Sequence, residues 1–197
     1  MIVGLTGGMG CGKSAAARRF AARGWETIDC DAIAWELLER DPETRAEVAA
    51  AFGAEILDAG GGIDRRRLAK AAFGDPAKLA ALEGLMHPRV RRRWQAAVRA
   101  RPQIRWVVEI PLLFEKNLEN RVDFTLCVFC DLETQFARLA SKGFSRAEAR
   151  ARIERQLPLA EKAERADCVL LNDGVEAALN AQVDRLLPHL SVQPEKP

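Results

Sequence analysis

Residues 4–15 read GLTGGMGCGKSA. Gly7 to Ser14 have the spacing Gly-x-x-x-x-Gly-Lys-Ser, the pattern of a loop that wraps phosphates. Glycines let the main chain curl so that successive N–H groups point inward, and a following helix adds its positive end. Lys13 then reaches the outer phosphates, and the Ser14 hydroxyl is placed to ligate Mg²⁺. The pattern needs a strand before it and a helix after it. MIVGLT supplies an apolar run closed by glycines, and Ser14 to Arg23 has no breaker until Gly24, which sits where a helix C-terminal cap belongs.

Working outward, WETID, RWVVEI, DFTLCVF and CVLLN read as four further strands, with helices between them at Leu132–Ser141 and Val175–Leu187. Strands alternating with helices predict an α/β protein with a parallel sheet covered on both faces. One connection is oversized: from Asp31 to Arg105 there is no strand run. This stretch is rich in Ala, Leu, Arg and Glu and is punctuated at RDPE, DAGGGID, FGDP and HP, so it predicts several helices forming a lobe. In the last of them Val90, Trp94, Ala97 and Val98 share one face. The segment ASKGFSRAEARARIERQ, where Gly143 and Ser145 interrupt a charged helical pattern, predicts a flap over a site. The expected organisation is a nucleotide-binding core at 1–31 and 105–190 with a lid at about 140–157, an inserted lobe at 32–104, and a fraying tail at 191–197.

Bulk properties narrow the function. The 197 residues are 48% apolar and 29% charged, and 30 basic against 28 acidic side chains leave a net charge of +2. That balance does not announce a nucleic-acid protein, so a phosphate partner has to be met by a local site. No apolar run spans a bilayer, and the chain opens directly on a strand without a charged leader, so the expected setting is cytoplasmic with no membrane partner. Five cysteines suggest free thiols. Cys127 and Cys130 form a lone C-x-x-C in an apolar run, which reads as buried strand cysteines rather than zinc ligands. Cys11, inside the loop and near Lys13, has surroundings that favour thiolate and oxidation, but the preferred reading is a small side chain that fits the turn.

Whether phosphate is held or transferred turns on acids and cations near the sheet's carboxyl edge. Asp29 and Asp31 follow the second strand. A carboxylate there accepts a hydroxyl proton during phosphoryl transfer, or Asp31 caps the helix that begins AIAWELLER; both readings stand. Glu109 ends the third strand and either orients Mg²⁺ through water or forms an ion pair. His87-Pro88 reads as a helix-ending turn or as a group facing an acceptor. Arg138, Lys142, Arg146 and Arg152 cluster around the flap, where one or two of them suffice to cover migrating charge.

As a set these motifs resemble the dephospho-coenzyme A kinase family of the P-loop kinase superfamily. The resemblance runs from Ile2 to about Leu187 and rests on GLTGGMGCGKS, IDCDAIA, GGIDRRRLAKAAF, LEGLMHPRV, IPLLFE, QFARL, ARIERQ and ADCVLLNDG. It implies a three-layer fold with a five-stranded parallel sheet, a helical acceptor lobe and a lid. The implied activity is Mg²⁺-assisted phosphorylation, by ATP, of the ribose 3′-hydroxyl of dephospho-coenzyme A, giving coenzyme A and ADP. By the same resemblance Gly8, Gly10, Cys11, Gly12, Lys13, Ser14 and Ala15 hold ATP, and Asp31 is the base. Thr6 and His87 lie near the acceptor, and Arg138 stabilises transferred charge. The sequence departs from the family pattern with Ala15 in place of Thr, Glu109 in place of Asp, and Lys142 in place of a lid arginine.

Three other functions fit parts of the chain. A nucleoside or nucleotide monophosphate kinase is the alternative enzyme. A nucleotide switch lacks support, since there is no Asn-Lys-x-Asp segment. Nucleic-acid binding would rest on RVRRRWQAAVRAR, whose apolar stripe turns the Trp inward. No obligate protein partner is expected.

Overall fold

The computed structural model describes residues 1–190; the tail from 191 lies outside the described residues. Strands β1 (Ile2–Gly7), β2 (Glu26–Asp29), β3 (Trp106–Glu109), β4 (Phe124–Phe129) and β5 (Cys168–Leu171) form one sheet in the order β2-β3-β1-β4-β5. The pairings of β1 with β3, β1 with β4 and β4 with β5 are parallel, Leu5 facing Glu109 and Leu126. Chain connections leave β1 and β4 toward opposite edges of the sheet, so the crevice beyond their carboxyl ends is the topological switch point where ligands bind in such sheets.

Because β1 is central, both its faces are buried. Val3 and Leu5 pack on Ala16 and Phe20 of α1 (Lys13–Ala22) and on Leu179 and Val183 of α9 (Glu176–Leu190). On the opposite face Gly4 meets Val122 and Leu113, where a Cβ would stand 3.0 Å from the valine. Helix α1 ends as expected: Gly24, at φ +82°, donates to Ala21 O, and Trp25 N reaches back to Phe20 O. At the far side of α1, Arg19 and Arg23 both clamp Asp184 of α9 and hold its carboxyl well below the usual range.

The described residues pack as two compact units, Met1–Ile28 with residues 102–190, and Asp29–Arg101. The second unit is mainly helical: α2 (Cys30–Arg40), α3 (Pro42–Phe52), α4 (Arg65–Phe73) and α5 (Pro76–Ala100), with a Leu57–Ile63 bridge closing the turn before α4. Its own core is Leu38, Val48, Phe52, Ile56, Leu68, Ala72 and Met86. RDPE and FGDP fall between helices, with Asp41 and Asp75 as N-caps ahead of prolines at the first helical positions.

His87-Pro88 departs from expectation: α5 runs straight through it. Proline there forgoes the bond to the Gly84 carbonyl, a cost of ~3 kcal/mol. Met86, Val90, Trp94 and Val98 are buried along the same helix, and each contributes ~1.5–3 kcal/mol. Packing therefore outweighs the local break. Trp94 points inward, 2% exposed, while Arg89 and Arg93 of the basic run pair with Glu47 and Glu36.

The first unit continues with α6 (Leu132–Ala140), α7 (Arg146–Ile153) and α8 (Leu159–Arg165). Gly143, at φ +87°, turns the chain after α6, and Ser145 opens α7 with a reciprocal capping box to Glu148.

Candidate active site

The phosphate loop joins β1 to α1, and its shape is dictated by what surrounds it. Gly7 (φ +141°), Gly10 (φ +82°) and Gly12 (φ +93°) adopt conformations that side chains disfavour. A Cβ on Gly7 would lie 2.3 Å from the Val128 carbonyl, and one on Gly12 would lie 2.2 Å from Asn172 Nδ2. Glycine is thus required both for the turn and for the close approach of neighbours.

Those neighbours pin the loop's carbonyls. Asn172 Nδ2 donates to Cys11 O at 2.7 Å, and the Arg138 guanidinium donates to Gly10 O, Cys11 O and Asn172 O at 3.3, 3.4 and 2.8 Å. Cys11 N donates within the loop, to Gly8 O at 3.2 Å; with the Gly10 and Cys11 carbonyls turned toward these donors, the other loop amides are left for the ligand side. Lys13 Nζ folds over the loop and donates to Gly7 O and Gly8 O at 3.3 and 3.2 Å. Ser14 is exposed on the first turn of α1, and Ala15, behind it, is half-buried. Gly12 itself, left-handed, precedes α1 without a side-chain cap, so no capping side chain competes with an anion at the first turn, where Ala15 N donates to Gly12 O at 3.0 Å.

Beneath the loop lies a pair of thiols. Cys11 and Cys130 are 0% and 1% exposed, with Sγ atoms 3.5 Å apart. The hydrogen bond from Cys130 holds the Cys11 thiol below its ordinary range, while that bond and burial push Cys130 up. Cys127, within β4, is also buried, and desolvation raises its thiol to about 12.

Of the four flap cations, Arg138 reaches the phosphate loop. Arg146 is engaged by Glu133 and stacks 4.2 Å over Phe136, Arg152 lies over Phe144, and Lys142 is exposed.

Asp31 is not the helix cap. Asp29, the last residue of β2, accepts from Asp31 N and Ala32 N at 2.8 and 3.1 Å and starts α2 two residues earlier than AIAWELLER suggests. The Asp31 carboxylate is thereby relieved of capping. Within the helical unit it lines a cleft of about 540 Å³ with Asp29, Trp35, Glu39, Arg40 and Arg65. Arg65 lies 4.4 Å over the Trp35 ring and pairs with Glu39. His87 is half-buried on α5 and does not line this cleft. Glu109 stands at the end of β3, half-buried.

Thr6, expected beside an acceptor, is instead 0% exposed and donates its hydroxyl to Pro111 O at 3.2 Å. It faces into the sheet's covered side because β1 is flanked on both edges and both faces, so its hydroxyl needs an internal acceptor. Lys162 of α8, also 0% exposed, donates to the same carbonyl at 2.8 Å and pairs with Glu115 at 2.7 Å; Glu115 in turn accepts from Leu157 N. This buried ion pair ties the segment after β3 to the end of the flap.

A family model described as dephospho-CoA kinase matches residues 1–178. The chain belongs to the dephospho-CoA kinase family. It is 41% identical to the dephospho-CoA kinase of Thermobifida fusca, covering 92% of each chain. It is 43% identical to that of Deinococcus radiodurans, over 96% of this chain and 92% of the relative. It also superposes on the crystal structure of TT1252 from Thermus thermophilus with a TM-score of 0.82 and 37% identity, covering 96% and 97% of the two chains.

Within this member of the dephospho-CoA kinase family, sequence reasoning missed Asn172 and Gln135, which touch the phosphate loop, and the buried Glu115–Lys162 pair behind Pro111. Gln135 packs under Gly8, with its Nε2 donating to Cys130 O and its Oε1 buried without a hydrogen-bond partner. The signal for three of them was present in QFARL, IPLLFE and ADCVLLNDG, segments noted as motifs without a role for these side chains. Lys162 lies outside them and gave no signal; on a short charged helix it reads as a solvated face.

Proposed function

We propose that this chain transfers the γ-phosphoryl group of ATP to the ribose 3′-hydroxyl of dephospho-coenzyme A, giving coenzyme A and ADP, the last step of coenzyme A biosynthesis, in the cytoplasm. The observation that carries this reading is the family match through residues 1–178, which takes in both the phosphate loop and Asp31.

Each residue then has work suited to its chemistry. The amides from Gly8 through Ala15 receive the polyphosphate, and Lys13 exchanges the carbonyls of Gly7 and Gly8 for phosphate oxygens. Arg138 holds the loop in shape and adds positive charge beside it. The Ser14 hydroxyl is a hard oxygen donor that fits Mg²⁺. Among the described residues no group of three or more His, Cys, Asp or Glu forms a metal cage, which suits an ion carried mainly by nucleotide phosphates and water. Bound there, Mg²⁺ neutralises phosphate charge. Asp31 takes the proton of the acceptor hydroxyl as it attacks. His87 contributes to the acceptor side from the helical unit, acting as a lobe for that substrate, and Thr6 serves it through the main chain at Pro111. Residues 140–157 close as a lid.

Coupled ADP release, measured with dephospho-coenzyme A and with a panel of nucleosides and nucleoside monophosphates, tests the assignment. Mg²⁺-dependent release with dephospho-coenzyme A alone is the expected result. Preference for a nucleoside or monophosphate would replace this reading with the other kinase class.

A further inference from the structure

Two features stay outside the phosphoryl-transfer reading: the thiol inside the phosphate loop and the second cysteine of the lone C-x-x-C. The fold brings them together. Cys11 and Cys130 are 119 positions apart in sequence, yet their Sγ atoms are 3.5 Å apart under the loop. No disulfide is present among the described residues, and all five cysteines are free thiols.

We propose that Cys11 and Cys130 are a reversible modification site, a dithiol that a peroxide converts to a disulfide and that thereby turns off the phosphate loop. The geometry is the ground for it. A disulfide holds its sulfurs at ~2.05 Å, so closure has to draw the two together by about 1.5 Å. Cys127, the other half of the C-x-x-C, is three residues away and points to the opposite face of the strand, so it does not compete.

The chemistry balances. The Cys11 thiolate attacks one peroxide oxygen; an S–O bond forms, the O–O bond breaks, and water leaves once the second oxygen is protonated. Cys130 sulfur then attacks the resulting sulfenic acid; the S–S bond forms, the S–O bond breaks, and the departing hydroxide takes the Cys130 proton as water. In sum, two thiols and one hydrogen peroxide give one disulfide and two waters. The hydrogen bond from Cys130 to Cys11 and the nearby Lys13 favour thiolate on Cys11, which orders the two steps.

The consequence follows from what else holds Cys11. Its carbonyl is pinned by Asn172 and Arg138 at 2.7 and 3.4 Å. Pulling its side chain toward β4 works against those bonds and tilts the amides that Gly10 and Gly12 present. Displacement of about 1 Å in a phosphoryl-transfer site is enough for a loss of ~10-fold or more. Because both sulfurs are buried, oxidation proceeds through loop opening, so bound ATP slows it, an effect that rests on the proposed nucleotide site.

The test treats the full-length protein with hydrogen peroxide, caps remaining thiols with N-ethylmaleimide, and maps peptides by mass spectrometry alongside activity. A Cys11–Cys130 cross-linked peptide is expected, with the intact mass lower by two hydrogens. Activity should fall ~10-fold or more and return with dithiothreitol. Cys130→Ala, with Cys130→Ser as a second variant, should show no dithiothreitol-reversible loss relative to its own untreated activity, whatever that starting level is. The proposal is overturned if Cys11 is recovered capped by N-ethylmaleimide after peroxide, if the cross-link joins other cysteines, or if the cross-link forms while activity is unchanged. Failure of ATP to protect, with the disulfide still formed, would count against the nucleotide site and leave the thiol pair standing. Cross-linking would itself be the readout if neither variant folds.

Discussion

The phosphate loop and the cleft around Asp31 are built by opposite strategies. The loop presents main-chain amides, and side chains from three other elements fix them from behind: Cys130 at the end of β4, Arg138 of α6, and Asn172 just past β5. The cleft presents side chains along the length of α2, with Arg65 from α4, and a single aspartate, Asp29, sets where α2 starts. A polyphosphate is the same in every reaction of this type, so a rigid cradle of amides serves it. An acceptor hydroxyl has to be deprotonated, which amides cannot do, and a carboxylate relieved of capping can. The difference predicts that damage to the loop spreads through both binding and turnover, while damage at Asp31 is confined to turnover.

The sharpest way to break the comparison is at Lys13. Lys13→Met removes the charge that faces the outer phosphates and should lower kcat/KM for ATP by ~10³-fold, with little change in thermal stability, because its present bonds go only to Gly7 and Gly8 carbonyls. A loss of less than tenfold in steady-state assays would show that the amides alone carry the phosphate. Next comes Asn172→Ala. It leaves Cys11 O with only the longer Arg138 bond, a loss of about 1.4 kcal/mol, and should raise KM for ATP by about tenfold. An unchanged KM would mean the loop keeps its shape without that brace.

The smallest effect, and a control, lies at the far end of α1. Arg19 and Arg23 depress the Asp184 carboxyl, so the clamp stabilises the fold above the ordinary aspartate range of about pH 4 and is lost as pH falls toward the depressed folded value. Asp184→Asn should lower Tm at pH 7, with the deficit shrinking below pH 4, and leave kcat unchanged. A deficit that persists at low pH in melting curves would assign the effect to packing instead.

The same contrast explains what the sequence made legible. Strands β1, β3 and β4 were readable because a parallel sheet buried on both faces demands short continuous apolar runs; β2, an edge strand with mostly exposed residues, carries no such run and was legible only from its place ahead of a helix. The loop was readable because its requirement is for glycine at fixed spacing. The helical unit was readable as helices, but HP misled: local proline chemistry says stop, and only the burial of Met86, Val90, Trp94 and Val98 says continue. Asp29 and Asp31 are two residues apart, and capping statistics alone do not choose between them; the strand-to-helix junction does. The braces were the least legible. Asn172 meets Cys11 across 161 positions, and such a contact leaves no periodicity behind. Lys162, on a seven-residue charged helix, has the pattern of a solvated face and is fully buried because Pro111 and Glu115 supply acceptors there.

The measurement that goes most directly to the division of labour is Asp31→Asn, assayed for ATP binding by calorimetry and for turnover with dephospho-coenzyme A in the same preparation. The predicted result is ATP affinity within about twofold of the unmodified protein and turnover lower by ~10²-fold or more. Turnover that is unchanged, or ATP affinity that falls in step with it, would contradict the account.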